Sequence, residues 1–412
     1  MVPNGWKLTS LGEVCSGKLQ TGPFGSQLHA HEYTEEGVPV LMPKDLINFR
    51  ANHDSAAKIP VNRSEDLKKH ILKSGDILFS RRGDVARFAL IESDLPTSLC
   101  GTGCLKATPN KSHSPLFLSY FLQKNAVKKW LEQNAVGQTM PNMNTAILAE
   151  LPLMVASCRE EEDKIAQILS TWDRGIATTE KLIDASKQQK KALMQQLLTG
   201  KQRLIDPETG KAFEGDWEEV KLGELGTVIS GGTPSTSSPE YWDGDIHWVT
   251  PTDITKLRTQ IIQKTSRKIT SEGLRNSSAK LVPARSLLIC TRATIGELAI
   301  TATEMCTNQG FKNIIPSACT DVAFLYYLIQ SSKHRLVAKA SGSTFLELSK
   351  KDFENILFHI PSFKEQQKIA SVLTAADKEI ELLAAKLAHL KQEKKALMQQ
   401  LLTGKRRVSL SS

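Results

Sequence analysis

The chain has 412 residues, of which 40% are hydrophobic and 24% charged, and its formal net charge is +9 at pH 7. This length exceeds what one hydrophobic core normally serves, so we expect two globular domains with connecting elements, and the positive charge favours an acidic partner such as nucleic acid. No apolar run approaches the roughly 18 residues that a bilayer-spanning helix needs, which excludes a membrane span.

Short runs typical of β-strands dominate the early part of the chain, and glycine, proline, serine and asparagine separate them. The runs are Val38 to Pro43, Asp76 to Ser80 and Phe88 to Glu92. A helical stretch over residues 116–133 follows, and its aromatic residues Phe117 and Tyr120 are predicted to belong to the core. The pattern predicts a mixed α/β domain over residues 1–158.

The seven cysteines are an odd number at irregular positions, and the first ten residues contain no apolar stretch resembling a signal peptide. We therefore expect reduced thiols and a cytoplasmic location. Cys100 and Cys104 lie close together, but a zinc site needs a second pair of ligands, and none occurs at a suitable spacing. Both cysteines are predicted to be buried structural thiols.

Residues 159–204 have the pattern of a long helix with a coiled-coil seam. The seam advances by alternating steps of four and three through Ile165, Leu169, Trp172, Ile176, Thr179, Ile183, Ser186, Lys190, Leu193 and Leu197. Proline is absent from the stretch, and Gly200 with the basic residues after it forms a stop signal. At 1.5 Å per residue such a helix is about 60 Å long.

A short linker, residues 205–215, separates this helix from a second set of strand-like runs, and its Asp-Pro and Thr-Gly pairs are typical of turns. The runs are Ile246 to Pro251 and Leu287 to Thr291. A helical stretch over residues 323–340 follows, with Phe324 and Tyr327 in the places of Phe117 and Tyr120. The pattern predicts a second mixed domain over residues 216–362.

Residues 363–405 repeat the helical pattern, again without proline, and Gly404 followed by basic residues provides the stop signal. The seam is more regular here, and its positions are Ile369, Leu373, Ala376, Ile380, Leu383, Leu387, Leu390, Lys394, Leu397 and Leu401. A heptad stripe is narrow and suits another long helix better than a globular surface. The alternative is two amphipathic helices that pack separately on their own domains.

The twelve residues Lys190 to Lys201, KKALMQQLLTGK, recur without change as Lys394 to Lys405. Weaker matches extend along the whole chain, so the protein consists of two copies of one unit, with variable front parts and similar helices. Two like units related by a two-fold axis pair their helices antiparallel, and the short linker permits this arrangement. We therefore predict an α+β protein with a pseudo-two-fold internal repeat: two globular mixed α/β domains at opposite ends of an antiparallel two-helix coiled coil.

Polar residues cluster in the loops of both front parts. Such side chains pair with phosphates and with base edges in the major groove, although ordinary surface charge has the same composition. The candidate DNA-binding residues are Lys44, Ser80, Arg81, Arg82, Arg87, Gln138, Thr139, Asn142, Asn144, Lys256, Arg258, Thr291, Arg292, Lys312, Ser343 and Thr344. Arg82 and Arg292 are the strongest candidates because they occupy equivalent places in the two copies.

The motifs of DNA-modifying enzymes are missing from the sequence. It has no GxxxxGK[ST] loop and no Asn-Pro-Pro-Tyr or Asp-Pro-Pro-Tyr tetrapeptide, and the Gly-Thr-Gly at residues 101–103 is too short for a cofactor fingerprint. A Glu-x-Lys at residues 393–395 lies on the predicted helix, without an upstream Pro-Asp. The chain is therefore interpreted as a non-catalytic recognition protein without catalytic or metal-binding residues.

The order of variable part, helix, variable part and helix resembles the specificity subunits (S, HsdS) of type I restriction-modification systems. The resemblance covers essentially all of the chain and rests also on Ser230 to Ile254, Ser341 to Leu373 and the doubled LMQQLLTGK ending. The first front part departs from these motifs, because it lacks the GGTPS of the second and has MPNMN where the second has FLELS.

This resemblance implies a function for each part. Residues 1–158 and 216–362 would be target recognition domains 1 and 2, each reading one half of a split DNA target, and residues 159–204 and 363–405 would be the central and C-terminal conserved spacer helices. The spacers would set the gap and bind two methyltransferase (M, HsdM) subunits. The chain would carry no cofactor: the M subunits hold S-adenosylmethionine and methylate adenine N6, and the restriction (R, HsdR) subunit uses ATP and Mg.

The repeat supports the same division of labour independently of the family, since similar helices suit two copies of one protein partner and divergent front parts suit two different ligands. Two alternatives remain open at this point. One is a coiled-coil scaffold whose end domains bind proteins or RNA. The other is a self-sufficient methyltransferase or nuclease, which the missing motifs oppose.

Overall fold

The computed structural model describes residues 2–24, 27–137, 141–342 and 346–410. The chain divides into two compact units, residues 1–180 with 386–412 and residues 181–385, which we call the first unit and the second unit. Each unit contains one front part and a segment of both long helices. No described helix combines the length and the apolar character that crossing a bilayer requires.

Three sheets form the framework of the first unit. Its strands are β1 (Trp6–Ser10), β2 (Leu19–Thr21), β3 (Val38–Leu41), β4 (Leu46–Ile47), β5 (Arg50–Ala51), β6 (Ala57–Ile59), β7 (Ile77–Ser80), β8 (Phe88–Leu90), β9 (Leu99–Cys100), β10 (Cys104–Ala107) and β11 (Pro152–Ala156). The sheet orders are β1-β11, β2-β10-β7-β8-β5-β4 and β6-β3-β9. Most pairs are antiparallel, whereas β9 runs parallel to β3 and β5 runs parallel to β8.

Six helices follow in this part of the chain: α1 (Leu11–Val14), α2 (Val61–Asp66), α3 (Pro115–Leu122), α4 (Asn125–Asn134), α5 (Thr145–Ala149) and α6 (Arg159–Leu197). Helix α3 begins at Pro115, whose fixed φ suits a first helical position, and the Ser114 hydroxyl accepts the Phe117 N–H. Residues 159–180 of α6 belong to the first unit and residues 181–197 to the second.

The second unit repeats this plan. Its strands are β12 (Glu218–Lys221), β13 (Gly226–Ser230), β14 (Trp242–Val249), β15 (Ile261–Ile262), β16 (Arg267–Ile269), β17 (Leu287–Cys290), β18 (Leu298–Thr301), β19 (Cys306–Thr307), β20 (Phe311–Pro316) and β21 (Leu357–Ile360). Its helices are α7 (Pro251–Thr255), α8 (Ser271–Arg275), α9 (Val322–Ser331), α10 (Lys333–Lys339), α11 (Lys350–Glu354) and α12 (Phe363–Leu401), which continues into the first unit.

The sheet orders of the second unit are β12-β21, β13-β20-β17-β18-β15 and β16-β14-β19. These orders match those of the first unit strand for strand, except that β4 has no counterpart within the described residues. The parallel pairs also correspond, since β14 pairs parallel with β19 and β15 with β18. Each unit is therefore a mixed α/β domain of the same topology, although the front parts differ in sequence.

The five predicted strands are all present, as β3, β7, β8, β14 and β17. The two predicted helical stretches, in contrast, are each two helices. The first helix of each pair, α3 or α9, is almost wholly buried, whereas the second, α4 or α10, buries only one or two residues. In both units the helix is interrupted at the point where a buried helix is followed by a helix on the surface.

One large core lies in each unit, and the predicted core aromatics belong to these cores. Phe117 and Tyr120 are buried in the first unit, and Phe324 and Tyr327 in the second. The prediction for Cys100 and Cys104 is also confirmed, because both are buried free thiols. Burial raises the pKa of Cys100 to about 12, so its thiol stays protonated and unreactive at neutral pH.

Within the first unit, the start of α6 packs against the end of α12. Lys394 Nζ lies 2.5 Å from Asp173 Oδ1, and the Tyr120 hydroxyl donates to Asp173 Oδ2 at 2.7 Å. Arg407 forms a bidentate pair with the buried Glu161 at 2.6 and 2.7 Å. Residue numbers rise along one segment as they fall along the other, so these two segments run antiparallel.

Within the second unit, the end of α6 packs against the start of α12 through the same kinds of contact. Lys190 Nζ lies 2.6 Å from Asp377 Oδ1, and the Tyr327 hydroxyl donates to Asp377 Oδ2 at 2.7 Å. Arg203 forms a bidentate pair with the buried Glu365, with both distances 2.7 Å. These segments are antiparallel as well, and the three contacts named for the first unit each have a counterpart here.

The seam positions predicted on both helices are all buried or half-buried. Leucines outside the seam behave differently, since Leu182 is 48% and Leu382 is 73% exposed. Each helix is followed by a glycine with positive φ, Gly200 at +69° and Gly404 at +64°, and these pack against Trp217 and Trp6 respectively. The helix ends are therefore joined to the front part of the unit in which they lie.

Candidate nucleic-acid interface

In the first unit, several loops that are distant in sequence lie next to one another. Backbone bonds join them: Arg81 N–H donates to Gly103 O, Met143 N–H to Arg81 O, and Gly83 N–H to Pro141 O, at 2.8 to 3.1 Å. We call residues 22–24, 42–45, 81–87, 101–103 and 136–142 the first loop surface, of which residues 138–140 are not described. Most of these loops extend from strand ends, and the residues exposed on the surface include Phe24, Lys44, Arg82 and Arg87.

The second unit has an equivalent set of loops, held by equivalent bonds. Thr291 N–H donates to Gly310 O at 2.8 Å, and Leu348 N–H donates to Thr291 O at 2.9 Å. We call residues 231–235, 250–253, 291–297, 308–310 and 341–347 the second loop surface, of which residues 343–345 are not described. The hydrogen-bond pattern aligns Arg81 with Thr291, and therefore Arg82 with Arg292.

Two glycines show that the loops align even where the sequences diverge. A Cβ atom on Gly22 would lie 1.8 Å from Gly101 O, and one on Gly231 would lie 1.9 Å from Asn308 O. Both glycines directly follow a strand and make the same close approach to the neighbouring turn. The first unit thus has a loop in the place of GGTPS, although its sequence, GPF, gives no sign of it.

Arg82 and Arg292 are both exposed and stand at the same place in their loops. The backbone of Arg82 forms a bridge with Asn142, and that of Arg292 forms one with Glu347. The side chains differ in their surroundings, because Arg292 Nε lies 4.0 Å from a Glu347 carboxylate oxygen. An anionic ligand would have to compete with Glu347 for Arg292.

Arg81 lines a cleft of about 460 Å³ with Phe24, Met42 and other residues of the first loop surface, and with Tyr33 beside it. Its guanidinium lies 5.7 Å from the centre of the Phe24 ring, a cation–π distance. Arg81 Nε is buried and has no hydrogen-bond partner among the described residues. The cleft combines two arginines, Arg81 and Arg82, with the exposed Phe24 ring.

Several predicted residues hold the loops instead of facing a ligand. Ser80 and Thr291 are fully buried, and their hydroxyls donate to Arg82 O at 3.0 Å and Gly310 O at 3.3 Å. The Asn144 side chain caps helix α5 by accepting the Ile147 N–H at 2.8 Å. We assign these three side chains to positioning, because burial or an internal bond occupies their polar atoms.

Lys312 is also buried, with 7% of its surface exposed. Burial lowers the pKa of its ammonium, and the nearby Glu347 carboxylate opposes that effect. Arg87 Nε is paired with an Asp84 carboxylate oxygen at 2.9 Å. Both residues line a separate pocket, which Arg81 does not line. Neither cation is as available to a ligand as Arg82.

The remaining predicted residues fall into two groups. Lys44, Lys256 and Arg258 are exposed, and the Asn142 backbone pairs with that of Val136 within the first loop surface. Gln138, Thr139, Ser343 and Thr344 lie outside the described residues. Their roles stay predictions.

The structure adds residues that the sequence reasoning missed. The Thr233 hydroxyl donates to the Gln309 side-chain oxygen, which joins two loops of the second loop surface. The Arg267 guanidinium lies 3.6 Å from the Trp242 ring centre and 5.4 Å from that of Trp248. Both tryptophans lie in the segment Ser230 to Ile254, on which the resemblance to the family partly rests, so the sequence did point to this region.

The two loop surfaces carry groups that can bind a ligand. Within residues 2–24, 27–137, 141–342 and 346–410, no group of three histidine, cysteine or acidic side chains is placed to hold a metal ion. What the loop surfaces offer is arginine, threonine, amide and aromatic side chains on a fixed backbone. Such groups bind phosphates and base edges.

Comparison with known proteins gives a family match over most of the chain. The family described as type I restriction modification DNA specificity domain matches residues 3–187 and again residues 214–392. The HindI specificity subunit of Haemophilus influenzae is 25% identical over 444 residues, which cover 89% of this chain and 93% of that protein. The MjaIX specificity subunit of Methanocaldococcus jannaschii is 39% identical over 168 residues, and the match spans only 40% of this chain and 39% of its relative.

A solved structure has the same fold. The HsdS subunit from Thermoanaerobacter tengcongensis superposes with a TM-score of 0.54 over 98% of each chain, at 20% sequence identity. This likeness concerns the fold alone. The two family matches coincide broadly with the two halves of the internal repeat.

Proposed function

Because the chain belongs to the family of type I restriction-modification specificity subunits, we propose that it selects the DNA sequence on which a type I complex acts. In this proposal each loop surface reads one half of an asymmetric bipartite target. The chain itself performs no chemistry. S-adenosylmethionine would be bound by the methyltransferase subunits and ATP with Mg by the restriction subunit, in the cytoplasm.

The observation that carries the proposal is the contrast between backbone and side chains on the two loop surfaces. Their hydrogen-bond frameworks correspond, but the side chains at equivalent places differ. The pairs, first unit before second, are Phe24 and Thr233, Met42 and Thr250, Arg81 and Thr291, Thr102 and Gln309, Asn142 and Glu347. A shared framework with different base-reading groups supports two unlike DNA half-sites.

The exposed part of the repeated segment supports docking of two identical partners. Its buried residues are explained by packing inside each unit, but some exposed ones are not. Lys191, Ala192, Gln195 and Gln196 are exposed in the second unit, and so are their identical counterparts Lys395, Ala396, Gln399 and Gln400 in the first. Identity at exposed positions is not required by the fold. We propose that a methyltransferase subunit docks on each of these two faces.

We propose further that α6 and α12 form one antiparallel coiled coil, which acts as the spacer between the two halves of the target. The supporting observation is the register of the polar contacts within each unit, where Asp173 meets Lys394 and Asp377 meets Lys190. Buried polar groups at helix seams fix register in coiled coils. The placement of the two recognition domains at opposite ends of this rod stays a prediction.

Exchange of the first recognition domain tests the proposal. The chain is produced with its methyltransferase partner, and the methylated sequences are mapped on a plasmid library before and after residues 1–158 are replaced by those of another family member. We expect a defined two-part target in which only one half changes.

Three outcomes would contradict the proposal. A change in both halves would refute the division between the two loop surfaces. Absence of any defined target would refute the DNA-specificity role. Preferential binding of RNA or of a protein to the intact chain, in place of duplex DNA, would favour a scaffold function.

A further inference from the structure

Gln309 is an exposed residue at the tip of a turn, and hydrogen bonds hold the backbone of both its neighbours, Asn308 and Gly310. Asn308 N–H donates to Val249 O at 3.0 Å, and Gly310 N–H donates to the Asn308 side-chain oxygen at 2.9 Å. Gly310 O in turn accepts the Thr291 N–H at 2.8 Å. The Gln309 side chain is exposed on this rigid base, so little conformational entropy of the backbone is lost when it binds a ligand.

A second loop determines how the Gln309 amide is oriented. The Thr233 hydroxyl donates to the Gln309 side-chain oxygen, and that loop is itself held by two indole N–H groups. Trp248 Nε1 donates to Gly232 O at 2.9 Å, and Trp242 Nε1 donates to Ser235 O at 3.0 Å. The amide therefore has a defined oxygen end, which accepts from Thr233, and a defined nitrogen end.

The chemistry of this arrangement matches one base. An amide oxygen has two lone pairs, so the Gln309 oxygen keeps one acceptor position after Thr233 has used the other. The amide nitrogen offers two N–H donors. In the major groove, adenine presents a donor at N6 beside an acceptor at N7, and a glutamine amide pairs with both.

We propose that Gln309 reads an adenine in the half-site bound by the second unit, and that Thr233 positions its amide for this contact. Thr233 is a positioning residue, since it acts on Gln309 and not on the base. The inference rests on the proposed function and deepens it by naming one base and the residue that reads it.

The corresponding place in the first unit lacks this chemistry. Thr102 occupies it, with a single hydroxyl whose nearest side-chain partner is Met42 Sδ at 3.8 Å. One hydroxyl forms no bidentate pair with a base. The Gln309 contact therefore has no counterpart at the equivalent place of the first unit, and Thr102→Ala serves as the matched control for Gln309→Ala.

The first experiment compares methylated sequences on a randomised plasmid library for the wild-type complex and for complexes with Gln309→Ala or Thr102→Ala. Gln309 is exposed, so we expect the variant to fold. Discrimination at one adenine position should fall about tenfold to a hundredfold in Gln309→Ala. Thr102→Ala should leave that position unchanged.

The second experiment isolates the contact to adenine N7. The wild-type and variant complexes are titrated with duplexes carrying adenine or 7-deazaadenine, which lacks the N7 acceptor, at the position found. The modified base should weaken binding by the wild-type complex several-fold and have no further effect on Gln309→Ala. Thr233→Val should lose part of the discrimination, and Thr233→Ser should retain it.

The outcomes separate this inference from the proposed function. If Gln309→Ala leaves every position of a defined target unchanged, or relaxes a base other than adenine, the inference is wrong and the specificity role stands. Equal sensitivity of wild type and Gln309→Ala to 7-deazaadenine would also overturn it. If the wild-type complex has no defined target, the proposed function itself fails.

Discussion

The internal repeat preserves side chains at the helix contacts of this protein, but on its loop surfaces it preserves only the backbone. Where α6 and α12 pack together in each unit, side chains and contacts are repeated: Asp173 with Lys394 and Tyr120 corresponds to Asp377 with Lys190 and Tyr327. On the loop surfaces only the backbone framework is repeated. Side chains thus stay alike where they hold the fold, and under the proposed function they differ where the two loop surfaces would meet different DNA half-sites.

The largest effect that tests this comparison is expected at the buried ion pairs. Arg203→Ala leaves the Glu365 carboxylate, which is 1% exposed, without its bidentate partner, and it releases the linker carbonyl of Gly215. Loss of one partner of a buried pair costs about 3 to 5 kcal/mol. We expect the midpoint of urea unfolding, followed by tryptophan fluorescence, to fall accordingly.

Arg407→Ala is the matched variant in the first unit, where Arg407 pairs with Glu161. The Arg407 side chain is 48% exposed against 24% for Arg203, so solvent compensates more of the loss and the cost should be smaller. Equal stability of Arg203→Ala and wild type would show that the helix contacts are not repeated for stability. Arg203→Lys should lie between the two, because it keeps the charge and loses the bidentate geometry.

A smaller effect is expected at the glycines that follow the helices. Alanine at Gly404 would be strained at φ +64°, and its Cβ would lie 2.9 Å from the Trp6 ring. Gly200→Ala has a similar φ of +69° but a distance of 3.3 Å to the Trp217 ring. A left-handed conformation costs an alanine about 1 to 2 kcal/mol.

Thermal unfolding of both glycine variants measures whether the two helix ends are equivalent. We expect both to be destabilised, and Gly404→Ala more than Gly200→Ala because of the closer indole. A larger loss of stability in Gly200→Ala than in Gly404→Ala would mean that the Trp6 ring moves aside more easily than the Trp217 ring. Unchanged stability in both variants would mean that neither glycine is needed for its backbone conformation.

How far the sequence predicts this molecule depends on whether a pattern is periodic. The strands and the seam were predictable because alternation and heptads repeat over many residues. The break between α3 and α4 was not, since residues 116–133 contain no proline or glycine that would mark it. Only tertiary burial distinguishes the two helices.

The loop surfaces were harder to predict from the sequence than the helices and strands. The equivalence of Arg82 and Arg292 could be predicted because both follow a strong strand pattern in their copies. The equivalence of Gly22 with Gly231 could not, because it depends on a carbonyl from a distant turn in each unit. The contact of Thr233 with Gln309 joins residues 76 positions apart, and no local spacing indicates it.

The smallest effect concerns the two arginines that correspond in position but differ in surroundings. Arg82→Ala and Arg292→Ala should each weaken binding of target DNA and, if the contact is to phosphate, lower the slope of log affinity against log salt by about 1. Arg292 must leave Glu347 to bind, so its removal should cost less affinity than removal of Arg82. Titration of labelled duplex at several salt concentrations, with the methyltransferase partner present, measures both quantities.

Glu347 provides the decisive variant for this last comparison. Glu347→Gln removes the competing carboxylate while it keeps the size of the side chain, so affinity for DNA should rise in the wild-type background. In the Arg292→Ala background the same change should have a smaller effect, because the arginine that Glu347 holds is gone. An equal gain in both backgrounds would mean that Glu347 repels DNA directly, and unchanged affinity and salt slope in Arg292→Ala would remove that arginine from the interface.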